Sequence, residues 1–268
     1  MSEAQEPRSR GLLEIKGLTR AFGGLMAVSD LDLSIQPGEF FGLIGPNGAG
    51  KTTVFNLISG VIPTTQGIIH LGGVDITGAP THAITRLGLT RTFQLTALFK
   101  SFTVLENVLL GTYGLVRVNP LASLFNTKKA RDTEKEQRER AFRLLQFFGI
   151  ERLGEETAGN LPLGHQRILE LAIALAGEPK MLLLDEPFSG LSAEEGREMI
   201  ARIQKIRENK ITVMLVEHNI KIVMGLCDRM AVLNFGRKIA EGTFAQVSRD
   251  PGVIKAYLGT KRYAADHS

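Results

Sequence analysis

The chain carries a single cysteine, Cys227. No intrachain disulfide can form, and a reducing compartment is the expected setting. Cys227 lies in the apolar stretch VMGLCDR and reads as a small buried hydrophobe, not a reactive thiol. No apolar run approaches the roughly 18 residues of a membrane span, and the opening MSEAQEPRSR lacks an apolar signal core. Residues 1–10 are expected to form a flexible tail. Charge of one sign is also scarce: 32 Lys and Arg stand against 28 Asp and Glu, a net charge of +4. That excess is too small to argue for a nucleic-acid partner. Internal repeats and long low-complexity segments are missing, which sets aside repeat architectures.

What is present is an alternation of strands and helices. Runs suited to strands are LLEIKGL (12–18), LDLSI (31–35) and FFGLI (40–44), with QPGE as a turn between the last two. FFGLI is apolar throughout, as a strand covered on both faces should be. IIHLGG (68–73) adds a strand, and PTHAITRLG opens a helix with Pro at its start. From about 95 to 178 the pattern is helical. VLENVLLG is one helix, PLASLFNTKK (120–129) reads as a loop, and RDTEKEQRERAFRLLQFFG is a helix ending at Gly149. Its charged face places Glu134–Arg138 and Glu136–Arg140 as i,i+4 pairs. After 180 the alternation returns with MLLLD, a helix over about 193–208, ITVMLV, NIKIVMGLC and MAVLN. This predicts an α/β core with a mostly parallel sheet and helices on both faces, into which the helical stretch is inserted.

GPNGAGKT at 45–52 satisfies G-x-x-x-x-G-K-[ST], with a strand before it and a helix after it. Gly45, Gly48 and Gly50 let the chain of Gly45, Pro46, Asn47, Gly48, Ala49 and Gly50 turn tightly and aim backbone N–H groups at phosphate oxygens. The helix start adds the favourable end of its dipole. Lys51 is placed for the β and γ phosphates, the Thr52 hydroxyl for Mg²⁺, and Thr53 for the α-phosphate. MLLLDE at 181–186 supplies the second half: four apolar residues, then Asp185 at the carboxyl end of the strand, where ligands bind in open α/β sheets. Asp185 is expected to hold Mg²⁺ and Glu186 to deprotonate the water that attacks the γ-phosphate.

With these motifs in hand, residues of roughly 12–260 resemble the ATP-binding cassette of ABC transporters. The resemblance implies a P-loop NTPase cassette with an antiparallel β subdomain and an inserted helical subdomain at about 95–178. The ATPase domain is expected over 11–260 and a C-terminal tail over 261–268. It also implies residue roles. Phe22 in TRAFGG matches the aromatic that stacks on adenine, and Gln94 in RTFQ the glutamine near Mg²⁺ and the attacking water. His218 in VMLVEHN matches the switch histidine on the γ-phosphate. LPLGHQ (Leu161, Pro162, Leu163, Gly164, His165, Gln166) stands where the family signature LSGGQ faces the ATP of a partner cassette. More closely, RTFQLTALFKSFTVLENV, VEHNIKIVMGLCDR, DPGVIKAYLG and a long stretch at about 113–133 are similar to ATPase subunits of branched-chain, or hydrophobic, amino acid importers. Lipopolysaccharide-type export systems are the nearest rival.

Two departures stand out. Pro162 replaces a serine in the signature and supplies neither hydroxyl nor N–H. The missing hydrogen bond should cost on the order of 1 kcal/mol, so a weakened but working signature is expected. Ser192 in SGLS replaces the aspartate usual in the family's D-loop, which weakens charge-assisted communication across a dimer.

The implied cofactors are ATP and Mg²⁺. The implied partners are a second ABC ATPase subunit, with a different chain favoured over a second copy, two transmembrane permease subunits and, indirectly, a solute-binding protein. The implied location is peripheral, at the cytoplasmic face of the inner membrane. Leu98, Phe99 and Phe102 are read either as an apolar docking patch for a permease or as core. A soluble DNA-repair cassette would need a long coiled coil between the phosphate motifs, yet 134 positions separate Lys51 from Asp185. Translation cassettes resemble two phosphate loops in one chain, and this chain has one. A P-loop kinase would have no use for Gln94, the signature or His218.

Overall fold

Every residue of FFGLI is buried in the computed structural model, as a strand covered on both sides requires. The structure describes residues 11–92, 98–112 and 128–257. The expected tails at 1–10 and 261–268, Gln94, and most of the 113–133 stretch lie outside the described residues. Along the described chain the elements are β1 (Leu13–Phe22), β2 (Leu25–Ile35), β3 (Phe40–Ile44), α1 (Lys51–Ile58), β4 (Gln66–Leu71), β5 (Val74–Asp75) and α2 (Thr81–Arg86). They continue with β6 (Leu89–Thr92), α3 (Val104–Thr112), α4 (Lys128–Phe148), α5 (Leu163–Ala176), β7 (Met181–Asp185) and α6 (Ala193–Glu208). The chain closes with β8 (Thr212–Val216), α7 (Ile220–Leu226), β9 (Arg229–Asn234), β10 (Arg237–Gly242), α8 (Phe244–Val247) and α9 (251–257).

The chain divides into two units. The first joins Met1–Leu87 to Lys210–Ser268. It holds an antiparallel sheet in the order β2-β1-β4-β5 and, separately, the strand run β10-β9-β3-β8. β3 is parallel to both β8 and β9, and β10 turns back antiparallel on β9. Leu13 and Ile15 of β1 are buried with the period of two expected of a half-covered strand, and Leu18 is buried after a register shift in the pairing with β2. Behind the end of β3, Ile44, Val223, Met230 and Val232 form a core with Val247 and Val253 from the C-terminal helices. Cys227 packs against this cluster as a hydrophobe, although it is half-buried and not fully buried as expected, because it stands at the edge of the core. Arg229 ties the base of the strands together: it donates to Glu39 at 2.9 Å, pairs with Glu241, and stacks 5.5 Å from the Phe41 ring. β10 was not expected from RKIAEG, whose residues are mostly half-buried. It forms because β9 offers an edge to pair with, a tertiary reason that local propensity does not carry.

The second unit is Gly88–Asn209. β6 lies parallel to β7, with Leu89 opposite Met181 and Thr92 opposite Leu184. α3 starts with a reciprocal cap: Thr103 N–H donates to Glu106 Oε2 at 2.7 Å, and Glu106 N–H to Thr103 Oγ1 at 3.1 Å. α4 begins at Lys128, so the last two residues of the expected loop 120–129 are helical, and the rest of that stretch lies outside the described residues. Ala141, Leu145 and Phe148 of α4 are fully buried, spaced by four and three along one helix face. The expected i,i+4 pairs are replaced by others. Lys135 reaches Glu139 at 4.0 Å, Arg138 reaches Glu155 at 3.5 Å, and Arg140 reaches Glu178 at 2.5 Å. Partners from neighbouring segments compete with the short-range ones, because an isolated surface pair is worth only a few tenths of a kcal/mol, roughly.

Candidate nucleotide site

The first unit presents the glycine-rich loop between β3 and α1. Two of its glycines are forced by close backbone approach. A side chain on Gly45 would begin 2.2 Å from the Leu233 carbonyl oxygen, and one on Gly50 would begin 2.5 Å from that of Ala27. Gly50 also holds φ 103° as the N-cap of α1, a conformation that L side chains disfavour. The loop is pinned from behind, where Gly236 N–H donates to Ala49 O at 3.0 Å and Ser29 N–H to Gly236 O at 2.8 Å. Lys51 is buried, and its ammonium donates to the carbonyls of Gly45 at 2.8 Å and Pro46 at 3.0 Å. A full negative charge on phosphate oxygen is a stronger partner for that cation than a neutral carbonyl. Thr52 is exposed at the helix start and Thr53 half-buried beside it. Pro46, Asn47 and Gly48 form the outer turn, and Ala49 points inward and is buried.

Phe22 ends β1 with almost half its surface exposed, so it is not a core residue. The Arg20 guanidinium lies 4.6 Å from its ring centroid and donates to Pro63 O at 2.9 Å. His218 is exposed on the turn between β8 and α7. That turn is organised by Glu217, which is buried. Its Oε2 accepts from the His218 N–H at 3.0 Å and the Asn219 N–H at 3.4 Å. Asn219 in turn caps α7 by accepting from Lys221 N–H at 3.1 Å. Sequence reasoning passed over Glu217; an acid immediately before His218 was the available signal.

From the other end of the chain a second contact reaches the loop's base. Tyr257 of α9 packs on the core behind Ile44. Burial pushes its hydroxyl pKa up, partly offset by a backbone hydrogen bond from Gly45.

The second unit carries the acidic strand end. All of Met181–Asp185 is buried. Asp185 is paired with Arg91 of β6, which donates through Nη2 to Oδ2 at 2.7 Å, with both side chains almost wholly out of solvent. Arg91 was missed from the sequence, although it stands three residues before Gln94 in the same RTFQ string. Glu186 follows with φ 49°, uncommon for a residue with a side chain. Ser189 N–H closes the turn onto Glu186 O at 3.1 Å. In the 161–166 stretch Leu161 is buried, Pro162 is the N-cap of α5, and Leu163 is exposed. Gly164 is buried, while His165 and Gln166 are half-buried. Gln166 Nε2 donates to Leu161 O at 2.8 Å. Ser192 of the SGLS stretch is the N-cap of α6, in a full capping box with Glu195.

A hydroxyl and a carboxylate are the hard oxygen donors that suit Mg²⁺. Among the described residues no group of three or more His, Cys, Asp or Glu is gathered to hold a metal. Phosphate oxygens and water would therefore complete such a cation's shell, the usual way this ion is bound beside a triphosphate. No helix among the described residues is long and apolar enough to cross a membrane.

A buried strand, a glycine-rich turn with a buried lysine, a helix, and an acidic strand end define a P-loop ATPase of the α/β class. The ABC transporter family matches residues 28–189, and a branched-chain amino acid ATP-binding cassette transporter family matches residues 237–262. The chain is 44% identical to the high-affinity branched-chain amino acid transport ATP-binding protein BraF of Pseudomonas aeruginosa, over 94% of this chain and 99% of that one. It is 40% identical to LivG of Escherichia coli, of the same description, over 94% and 99%. A solved ATP-binding cassette from an ABC transporter in its ADP conformation superposes with a TM-score of 0.81 at 32% identity, covering 94% of this chain and 100% of that one. A nucleotide-free cassette gives 0.80 at 32%, covering 92% and 98%. The chain therefore belongs to the ABC transporter family, as an ATP-binding subunit that hydrolyses ATP in the service of transport.

Proposed function

We propose that this chain energises uptake of branched-chain or other hydrophobic amino acids through membrane permeases. The observation that carries the reading is the similarity to BraF and LivG along nearly the whole length of all three chains. The match of residues 237–262 to the branched-chain transporter family supports the same substrate class over lipopolysaccharide-type export.

In this reading the ATPase domain spans 11–260, with the helical stretch of about 95–178 inserted into it. Gly45–Thr53 binds the triphosphate: backbone N–H groups and Lys51 take the β and γ oxygens, and Phe22 stacks on the adenine. Mg²⁺, when bound, supplies charge neutralisation between the β and γ phosphates. Thr52, Asp185 and Gln94 are its proposed holders. Glu186 accepts a proton from the attacking water, and His218 contacts the γ-phosphate. The turn 161–166 faces the nucleotide of a second cassette.

The permeases are proposed to dock beside Phe99 and Phe102. These rings are exposed and stacked at 5.3 Å. The turn that presents them is held by the buried Asn107, which accepts from Phe99 N–H at 2.9 Å and donates to the carbonyls of Phe99 and Thr103 at 3.1 and 2.9 Å. Leu98 is buried and belongs to the core, not to this patch. Attachment through the permeases would place the chain at the cytoplasmic face of the inner membrane.

The test is transport in vesicles carrying the assembled system. ATP-dependent accumulation of labelled leucine, competed by isoleucine and valine, is the expected result. ATP turnover that no branched-chain amino acid stimulates would overturn the substrate assignment.

A further inference from the structure

Two helix starts share one carboxylate. α5 begins behind Pro162, which has no hydroxyl with which to cap it. α6 begins behind Ser192, where Ser192 N–H donates to Glu195 Oε2 at 2.8 Å and Glu195 N–H donates to Ser192 Oγ at 3.3 Å. The other oxygen of the same carboxylate, Glu195 Oε1, accepts from the Gly164 N–H at 3.1 Å across 31 residues of sequence. Glycine at 164 leaves room for this approach, because a side chain there would begin 2.8 Å from Oε1 and 2.9 Å from Cγ of Glu195 and would push that side chain aside. Leu163 lies beside the 189–192 loop as well: a side chain on Gly190 would begin 3.0 Å from Leu163 Cδ2. The hydrogen bonds of Ser192, and after them that of Gly164, hold the Glu195 carboxyl below its ordinary range.

A helix start favours one anion. A carboxylate and a phosphate cannot both accept the Gly164 N–H, and their like charges repel at that distance. We propose that Glu195 is a positioning residue and the resident anion of the 161–166 turn. It pins that turn to the 189–192 loop, and it must release the Gly164 N–H before the turn can take a partner cassette's nucleotide phosphate. The proposal rests on the reading of 161–166 as the signature turn. It also gives Pro162 a counterpart: the cap that Pro162 cannot provide comes from an acid on the next helix.

Glu195→Gln tests it. Glutamine still serves in a capping box, but it has one acceptor oxygen for two N–H donors and no charge. In the full chain, amide hydrogen exchange at Gly164 is expected to quicken by about fivefold or more, the loss of roughly one net hydrogen bond. Exchange within β7 is expected to stay as in the wild type. In the assembled transporter carrying Glu186→Gln, closure of the cassette pair is followed by fluorescence energy transfer as ATP is titrated. E195Q is expected to reach half-closure at about three- to tenfold less ATP. A merely structural Glu195 predicts the opposite sign, so an unchanged or raised ATP requirement overturns the proposal. Pro162→Ser separates the two readings: if it eases closure and E195Q does not, only the role of Glu195 falls. If neither variant moves closure, the signature reading falls and the proposal goes with it.

Discussion

Arg91 and Asp185, 94 residues apart in sequence, form an ion pair at 2.7 Å with their side chains 6% and 2% exposed. The pair fixes the acidic end of β7 to the neighbouring strand β6 and supplies the charge that a dry carboxylate needs. Removing one partner of such a pair leaves the other buried and uncompensated, which costs about 3–5 kcal/mol. Arg91→Met is therefore expected to lower the thermal midpoint strongly. The double variant R91M with Asp185→Leu is expected to recover much of the loss, because no charge is left stranded. Melting curves of the two singles and the double check this; additive losses would refute the coupling.

Lys51 is the loop's buried cation. Lys51→Ala removes charge-assisted hydrogen bonds to the phosphates, worth about 1.5–3 kcal/mol each. Retention of a fluorescent ATP analogue by the purified chain should weaken by roughly 10- to 100-fold. Asp185→Asn should weaken it chiefly when Mg²⁺ is present. Full retention by K51A would remove the basis for the nucleotide site.

Gly50 is held at φ 103° with the Ala27 carbonyl 2.5 Å from where a side chain would start. Gly50→Ala must shift either the loop or β2, and strained positions of this kind cost about 1–3 kcal/mol. A lowered melting temperature together with lost analogue binding is expected. Gly48→Ala, strained by its φ of 76° but with nothing within 4 Å to clash, should melt between Gly50→Ala and the wild type.

Ser192 caps α6. Ser192→Ala should cost about 1 kcal/mol, and Ser192→Asp, an equally good cap, should cost little. Chemical denaturation distinguishes these outcomes. Equal stability of all three chains would show that the capping box contributes nothing.

Tyr257 sets an alkaline limit. Burial raises its hydroxyl above the ordinary value of 10.0. Below pH 10 the hydroxyl is neutral in both folded and unfolded chains. As pH rises past 10 the unfolded chain ionises first, so stability falls until the pH passes the raised folded value. Tyr257→Phe lacks that proton, and its denaturation midpoint should fall less than that of the wild type between pH 9 and pH 11.

Much was legible along the chain. FFGLI and MLLLD are strands with the expected limits, and the helix expected over 193–208 is Ala193–Glu208. These elements announce themselves because continuous apolar runs, helical periodicity and caps are local signals. The glycine loop is legible for the same reason: its lysine, its glycines and its flanking elements all lie within the contiguous stretch from Phe40 to Ile58. β6 and β10 were not legible. LTRT and RKIAEG are short and polar, and they become strands only because a neighbour's edge is there to pair with.

The amino-acid sequence alone determined the class of the molecule, its phosphate loop and its acidic strand end, since each is written in contiguous residues. The partners of those groups were decided by the tertiary structure: Arg91 for Asp185 and Glu195 for Gly164. The physical reason is distance along the chain. A hydrogen bond between residues 31 or 94 positions apart depends on how helices and strands pack, and no local pattern records that choice.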